Sequence, residues 1–357
     1  MPHIFDTLTV RSVTLRNRIG VSPMCQYSSQ DGMAQDWHLV HLGSRAVGGA
    51  GLIMVEATGV DPQGRITEHC AGLWADKHVE PLAGITRFIR EQGSVAGIQL
   101  AHSGRKGSTE RPWEGGQSLK DEDGGWDTMG PSALAFGRRL WRVPLEMTID
   151  DILRVKRAFR DATVRAVEAG FQWLELHAAH GYLHNNFLSP LSNRRSDEYG
   201  GSFENRIRLT METVHEMRGV WPESLPFGVR LSCTDWVEGG WTLEDSVDLA
   251  KRLKQEGVDL IDCSSGINTP DYEAYPVGAG WQVPLSEVVG RRADILTAAV
   301  GFIQDPMQAD QIIRNGSADI VLLARRMLRD PYWPYLAAGV LNMKDRLPAP
   351  PQYERWV

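Results

Sequence analysis

A three-part pattern recurs along the 357 residues of this chain: an amphipathic stretch, a glycine and then a short apolar run. It occurs at 45–57, 90–102, 165–180, 254–266 and 313–325. Glycine just past a helix ends it at little cost, because glycine readily adopts the left-handed backbone conformation. The apolar run that follows is typical of a strand buried on both faces of a parallel sheet. The pattern therefore predicts helices that alternate with parallel strands.

The apolar runs predict eight strands in all. They begin near Asn17, Gly51, Ser94, Phe171, Pro226, Val258, Asp294 and Asp319. Helical patterns between them cover 36–48, 76–92, 149–169, 204–219, 243–256, 284–293, 305–315 and 332–341. Thr148 and Thr242 each precede acidic residues, which favours a helix N-terminus at both places. Eight βα units predict an α/β fold, a (β/α)₈ TIM barrel, with a doubly wound open sheet as the alternative.

Two segments stand outside this alternation. Residues 103–147 are rich in Gly, Pro and Trp and are too long for an ordinary βα loop. A long ordered loop is usually functional, and this one would follow strand three at the catalytic face of a barrel. Residues 348–357 form a Pro-rich and then aromatic tail, which either frays or docks. No Pro/Ser-rich linker divides the chain, so 1–357 is predicted to be a single domain.

Composition excludes several classes of protein. With 42% hydrophobic and 23% charged residues, the chain is typical of a folded globular protein. A net charge of −7 without a basic run argues against partners such as nucleic acid or an anionic membrane. No run of about 18 apolar residues predicts a membrane span, and 1–18 has no apolar signal core. Cys25, Cys70, Cys233 and Cys263 lie far apart, which argues against a disulfide scaffold or metal cluster and predicts a cytoplasmic location.

Candidate catalytic side chains follow the fourth predicted strand. His177 and His180 would point apart on a continuing strand, but a turn at Gly181 would bring them together beside Tyr182. Two imidazoles and a phenol can polarise a carbonyl oxygen and supply a proton. The spacing also leaves open a pair of zinc ligands or two ordinary histidines.

Candidate anion-binding residues follow other strands. Arg230, in strand five, needs an anionic partner if it points into a barrel, and that partner is either a ligand or an internal carboxylate such as Glu56 or Glu175. Gly301 and Arg325 follow strands seven and eight, the usual phosphate-binding region of such barrels, although a surface cation is the alternative for Arg325.

Several motifs occur together and in one order. They include VSPMCQYSSQDG (21–32), QLAHSGRK (99–106), HAAHGYLHNNFLSPLSNRRSDEYGGSFENRIRL (177–209), VGFI (300–303) and LLARRMLRDPYWP (322–334). On these residues the chain resembles the old yellow enzyme family of FMN-dependent ene-reductases. It is most similar to the thermophilic-like subgroup, which includes bacterial xenobiotic reductases.

The resemblance implies that FMN binds at the C-terminal mouth of the barrel. The implied FMN-binding residues are Ser22, Pro23, Met24, Cys25, Ala57, Gln99, Arg230, Val300, Gly301, Ala324 and Arg325. Arg230 would stabilise the anionic reduced flavin, and the last four residues would bind the phosphate. Cys25, which composition alone would place among small buried hydrophobes, would modulate the flavin potential. Ala324 stands where the family usually has glycine.

The resemblance also implies the reaction. NADPH or NADH would reduce the flavin, and hydride would then pass from flavin N5 to the β-carbon of an activated alkene such as an enone, maleimide or nitro-compound. His177 and His180 would bind the substrate oxygen and Tyr182 would protonate the α-carbon. The other implied substrate-binding residues are Tyr27, Lys106 and Arg355. No metal is expected.

A homodimer or homotetramer is implied as well. Arg355, accompanied by Trp356, would reach the active site of a neighbouring copy of the chain, which would make the tail a docking arm. Rival functions are a metal-dependent barrel hydrolase or lyase, another reaction of a related flavin barrel, and flavin binding without turnover.

Overall fold

Eight parallel strands close into a barrel in this computed structural model, which describes residues 1–271 and 275–355. The strands are β1 (Ile19–Val21), β2 (Leu52–Gly59), β3 (Val95–Ala101), β4 (Trp173–Ala178), β5 (Phe227–Ser232), β6 (Leu260–Ser264), β7 (Leu296–Ala299) and β8 (Ile320–Leu323). Val321 of β8 lies opposite Ile19 of β1, which closes the sheet. All eight predicted strands and the TIM-barrel fold are confirmed, and closure excludes the open doubly wound sheet.

Helices surround the barrel in the described residues. They are α1 (Asp36–Val47), α2 (Val79–Glu91), α3 (Ile149–Glu168), α4 (Leu183–Leu188), α5 (Phe203–Val220), α6 (Leu243–Gln255), α7 (Val283–Ala293), α8 (Pro306–Arg314), α9 (Arg325–Arg329) and α10 (Trp333–Val340). The eight predicted helices are present. The sequence did not predict α4 and α9, because six and five residues are too few to show an amphipathic period.

Apolar side chains form two layers, one between strands and helices and one inside the barrel. On β4, Leu174 and Leu176 belong to the outer layer and Trp173 to the inner one, as strand alternation predicts. The inner layer also includes Val10 and Val13 of an N-terminal hairpin, which closes the lower end of the barrel. The C-terminal mouth is therefore left for a ligand.

The segment 103–147 follows β3 and packs onto this mouth. It contains three short 3₁₀ turns and one pair of two-residue strands, Met129–Gly130 and Leu145–Glu146, so the absence of a helical period is confirmed. Arg105 and Lys106 at its start are buried, and the Arg105 guanidinium donates to the carbonyl oxygen of Asn268 at 2.6 Å. The loop is thus anchored where it meets the loop after β6.

The C-terminal tail contacts its own chain at Ala349 and Tyr353, whereas the side chains of 351–355 are exposed. The ring of Tyr353 meets that of Tyr332 edge to face, with 6.0 Å between centroids. Trp356 lies outside the described residues. Among the described helices, none has both the length and the apolar character needed to cross a bilayer.

The N-terminus of α3 gives a first prediction. Thr148 Oγ1 accepts from the backbone N–H of Asp151 at 3.1 Å, and the Asp151 carboxylate accepts from the N–H of Thr148 at 3.0 Å. We expect Thr148→Ala to lower the free energy of unfolding by about 1 kcal/mol, because the hydroxyl is the acceptor for the Asp151 N–H at the helix N-terminus. Urea unfolding would measure it. Thr148→Ser keeps the hydroxyl and should stay near wild type; equal losses in both variants would contradict the capping explanation.

Candidate active site

A left-handed turn after β4 brings the predicted catalytic side chains together. His180 and Gly181 both have positive φ, 61° and 72°. The rings of His177 and His180 meet edge to face at 5.2 Å between centroids, and those of His177 and Tyr182 at 4.9 Å. A Cβ on Gly181 would lie 2.4 Å from the carbonyl oxygen of Ile267, so only glycine fits there. The turn that the sequence required is therefore present.

Hydrogen bonds hold this turn in place. The N–H of His180 donates to Ser232 Oγ at 2.8 Å, and Lys106 Nζ donates to the carbonyl oxygens of His180 at 2.7 Å and Ile267 at 3.1 Å. A left-handed residue other than glycine costs about 1–3 kcal/mol, which these contacts offset. Lys106, predicted to bind substrate, thus contacts the backbone of the turn.

Lys106 is also a buried cation. Burial, reinforced by the charge of Arg105, lowers the pKa of Lys106 to about 7. Its ammonium lies 4.5 Å from the ring centroid of Phe136 and 5.3 Å from that of Tyr182, where the aromatic faces partly replace its hydration. When protonated, Lys106 therefore places positive charge beside the phenol.

Both imidazoles are neutral near pH 7. Burial, followed by the charge of Arg230, holds the pKa values of His177 and His180 well below the ordinary range. His177 Nδ1 accepts from the backbone N–H of Ala179 at 3.2 Å, which leaves its proton on Nε2. Each ring can thus donate one hydrogen bond.

The phenols and the thiol nearby are protonated. Burial is the main cause that raises the pKa values of Tyr182, Tyr27 and Cys25. Tyr27 and Tyr182 line a cleft with an empty volume of about 670 Å³. The long loop supplies its outer wall, including Lys106, Thr109, Glu110, Pro112, Arg139 and Leu140. This cleft is the candidate substrate pocket.

Four polar side chains form the floor of the mouth. Gln99 Nε2 donates to Glu175 Oε1 at 2.7 Å, and Arg230 Nε lies 3.0 Å from Asp262 Oδ2. Arg230 also donates to Ser22 Oγ at 3.2 Å. Sequence reasoning offered Glu56 or Glu175 as the internal partner of Arg230; the ion pair forms with Asp262 instead.

Strand register explains that correction. Asp262 lies directly opposite Arg230 between β6 and β5, whereas Glu175 lies opposite Gly228. Glu56 faces elsewhere, 3.3 Å from His38 Nε2. Burial and the charge of Asp262 raise the pKa of Glu175 to about 8, so Glu175 is neutral near pH 7. Burial raises the pKa of Asp262 to about 6, so Asp262 is ionised near pH 7 and pairs with Arg230.

The remaining predicted FMN residues lie around this floor. Pro23, Met24 and Cys25 follow Ser22 and are half-buried at the mouth. Ala57 lies opposite Gln99, just past an irregularity in the β2–β3 register. Arg355, in contrast, is exposed in the tail and does not line either cleft of its own chain among the described residues.

A second cleft, of about 770 Å³, runs from Arg230 to the rim beyond β7 and β8. It brings together Val300, Gly301, Ala324 and Arg325 as the sequence proposed, with Arg326 beside them. Gly301 has φ 118°, and a Cβ there would lie 2.8 Å from Gln282 Nε2. Ala324 has φ −105°, so alanine replaces glycine here without left-handed strain.

Sequence reasoning missed several residues of this cleft. Ser264, Ser265, Trp281 and Gln282 also line it. Ser264 ends β6 and Ser265 follows it, so their position at a strand end was a usable signal. Gln282 and Trp281 precede α7 without any recognisable pattern. Among the described residues, no three histidine, cysteine or carboxylate side chains are grouped to hold a metal ion.

A TIM barrel with Arg325 and Arg326 at the rim beyond β7 and β8, and with a polar floor, has the groups that a flavin nucleotide needs. Residues 3–343 match the NADH:flavin oxidoreductase / NADH oxidase family, and the chain belongs to that family. The predicted resemblance to the old yellow enzymes, the oxidoreductase class and the cofactors, FMN with NADPH or NADH, are confirmed.

Individual relatives agree over nearly the full length. The chain is 48% identical to an NADPH dehydrogenase of Geobacillus sp. (strain WCH70), covering 99% of this chain and 98% of the relative. It is 45% identical to an NADPH dehydrogenase of Bacillus subtilis (strain 168), with the same coverage.

Solved structures share the fold. Morphinone reductase in complex with tetrahydroNAD has a TM-score of 0.78 and 26% identity, over 96% of this chain and 92% of that chain. A 2-naphthoyl-CoA reductase has a TM-score of 0.85 over 96% of this chain. At 23% identity that second likeness shows the fold alone, and this chain spans 53% of that longer protein.

The residues present fit FMN. Gln99, Ser22 and the buried Arg230 offer donors for the pyrimidine edge of a flavin, and the cradle at Gly301, with Arg325 at the rim, suits a phosphate. When bound, FMN supplies the hydride chemistry that no side chain can perform.

The floor gives a second prediction. Unfolded Glu175 ionises near pH 4.3, whereas the folded carboxyl stays protonated up to about pH 8. The folded state therefore loses stability as pH rises through this window, by up to about 1.4 kcal/mol per pH unit. Glu175→Gln cannot ionise, so its stability relative to wild type should increase from pH 5 to pH 8 in urea unfolding with excess FMN. Glu168→Gln, at an exposed site, is the control; a parallel trend in both variants would refute the assignment.

Proposed function

We propose that this enzyme is an ene-reductase that uses NADPH or NADH to reduce the activated double bond of enones, maleimides and nitro-compounds. The observation that carries the proposal is the convergence of two neutral imidazoles and a protonated phenol at the mouth. The names of the relatives and the fit of FMN support it. Xenobiotic alkenes of these classes are the substrates we expect.

His177 and His180 are proposed to bind the substrate oxygen. Reduction of an enone at its β-carbon develops negative charge on that oxygen, so hydrogen bonds to it strengthen in the transition state. His177 is buried and His180 is half-buried, so water competes little with them. The nearby charges of Arg230 and Lys106 favour the same oxyanion.

Tyr182 is proposed to protonate the α-carbon. Its O–H bond breaks as the new C–H bond forms, and the phenolate that remains regains a proton from solvent. The raised pKa of Tyr182 ensures that the acid is protonated at the start. Lys106, 5.3 Å from the ring centroid, stabilises the phenolate afterwards.

The cofactor-binding assignments are also proposals. Ser22, Gln99 and Arg230 would hold the pyrimidine edge, Arg230 favouring the reduced anion. Pro23, Met24, Cys25 and Ala57 would line the ring, with the thiol of Cys25 modulating the potential. Val300, Gly301, Ala324 and Arg325 would bind the phosphate. All four cysteines are described and none forms a disulfide, which supports a cytoplasmic location.

The two half-reactions test the function. In anaerobic stopped-flow absorption, NADPH should bleach the flavin of wild type, and 2-cyclohexen-1-one should restore its colour. We expect Tyr182→Phe to slow the second step about 100-fold, the low end for loss of a general acid, while the first step stays near wild type. Tyr27→Phe, which removes the other phenol of the pocket, should mainly weaken substrate binding.

Two outcomes would contradict these assignments. Equal slowing of both steps by Tyr182→Phe would remove the proton-donor role. A wild-type protein whose flavin is not bleached by NADPH or not reoxidised by the enone would overturn the ene-reductase proposal.

We further propose that residues 348–357 dock on a second copy in a homodimer or homotetramer, and that Arg355 binds substrate there. Sedimentation of wild type should then show an oligomer, and deletion of 348–357 should shift it to smaller species. Arg355→Ala should raise the KM for the enone several-fold, unlike Arg346→Ala at an exposed site before the tail. A monomeric wild type, or unchanged kinetics of Arg355→Ala, would refute this role.

A further inference from the structure

The ring of His180 contacts one side chain that no part of the proposed mechanism uses. Its Nε2 lies 2.6 Å from Oγ of Ser264, the last residue of β6. We propose that Ser264 is a positioning residue: its hydroxyl donates to His180 Nε2 and fixes the imidazole proton on Nδ1, from which His180 donates to the substrate oxygen. The inference rests on the proposed function and specifies how one of its two donors is made.

A neutral imidazole carries one N–H, and the partner of the other nitrogen decides which nitrogen is protonated. For His177, a backbone group decides which ring nitrogen carries the proton. The N–H of Ala179 can only donate, and it donates to Nδ1 at 3.2 Å, so Nε2 carries the proton. His180 lies in the turn after β4, and its own N–H donates to Ser232 Oγ. Its tautomer therefore depends on a side chain.

A serine hydroxyl can donate or accept, so its other contacts decide the direction. The only other acceptor near Ser264 Oγ in the described residues is Gln282 Oε1, at 3.4 Å. That is beyond the 2.5–3.0 Å of a good O–H···O bond, and the same oxygen already accepts from Ser265 at 2.7 Å. The single proton of Ser264 is therefore best placed on His180 Nε2.

The other ring nitrogen of each histidine agrees with this assignment. Within the described residues, no hydrogen bond uses Nδ1 of His180 or Nε2 of His177. With Ser264 donating, both of these atoms carry a proton, and the pair presents two donors to one oxygen. With the opposite tautomer, His180 would present a lone pair to an oxygen that is gaining negative charge.

A second proton on the His180 ring cannot take the place of the hydrogen bond from Ser264. Arg230 and Lys106 lie close enough to keep His180 from gaining a second proton near neutral pH, in addition to the effect of burial. Two neighbouring strands hold His180, one at its backbone and one at its ring. Ser232 of β5 contacts the backbone N–H and Ser264 of β6 contacts the ring, and the two serines lie opposite each other. One serine thus positions the backbone of His180 and the other its ring.

The direct test is the tautomer itself. Full-length protein with bound FMN and ¹⁵N-labelled histidine would be observed by two-bond ¹H–¹⁵N NMR, with the His180 signals assigned from their loss in His180→Asn. We expect the proton of wild-type His180 on Nδ1. Ser264→Ala should give the Nε2–H form or a mixture, and Ser264→Thr, which keeps a hydroxyl, should retain Nδ1–H.

Ser286→Ala is the matched control. It removes an equally buried hydroxyl that bonds only the carbonyl oxygens of Val283 and Ser317, on α7 and away from the mouth. Its His180 signals should match wild type. In kinetics, Ser264→Ala should slow enone reduction by about 10-fold, less than complete loss of an oxyanion donor, and Ser264→Thr should recover most of that rate.

Two results would overturn the inference: an Nε2–H tautomer in wild type, or an unchanged Nδ1–H tautomer in Ser264→Ala. The wild-type spectrum alone decides the first, so the test does not depend on any variant folding. Wild type with the Nδ1–H tautomer but no enone turnover would instead overturn the proposed function and leave the Ser264–His180 hydrogen bond supported.

Discussion

The left-handed turn at His180 and Gly181 is the constraint on which the rest of the site depends. A strand that continued past His177 would send the next side chains to opposite faces, and Tyr182 would leave the mouth. The turn instead keeps His180 and Tyr182 beside His177. Its left-handed backbone costs free energy, which the hydrogen bonds of Lys106, Ser232 and the loop after β6 offset together. Those three contributions come from separate parts of the chain, so the site exists only once the barrel has closed. Catalytic geometry and global fold are therefore coupled at this one point.

Charge in the barrel interior is arranged around the same turn. Asp262 balances Arg230 within a few ångströms, Glu175 stays neutral, and Lys106 is held by carbonyl oxygens and aromatic faces. Burial, together with the charges of Arg230 and Lys106, lowers the pKa values of both histidines. Both rings are therefore singly protonated, which makes the position of each proton matter, and the same two cations favour the anions that reduction creates.

The fold was largely predictable because burial on both faces leaves a direct mark in the sequence. Five of the eight strands appear as an apolar run after a glycine, and Thr148 and Thr242 mark helix starts that the structure shares. The short helices α4 and α9 had no such mark. In the site, Arg230 was found by its position, but its partner Asp262 was not, because partners across two strands depend on register. The roles of Ser264 and Gln282 were not predicted for a related reason. They depend on the side chains that each residue contacts in the folded barrel, His180 and Ser265.

The barrel and the long loop contribute different parts of the site. His177 and His180, proposed to bind the substrate oxygen, and Tyr182, proposed to donate the proton, lie at the end of β4 or in the turn after it. Neighbouring strands hold them there. The outer wall of the substrate cleft comes instead from the segment 103–147, through Thr109, Glu110, Arg139 and Leu140. That segment is anchored at its base by Arg105 and lies at the surface beyond. Changes in the wall can therefore alter which alkene enters without displacing the imidazoles or the phenol, so the sequence of this loop, and not that of the barrel, is where we expect substrate choice to be encoded.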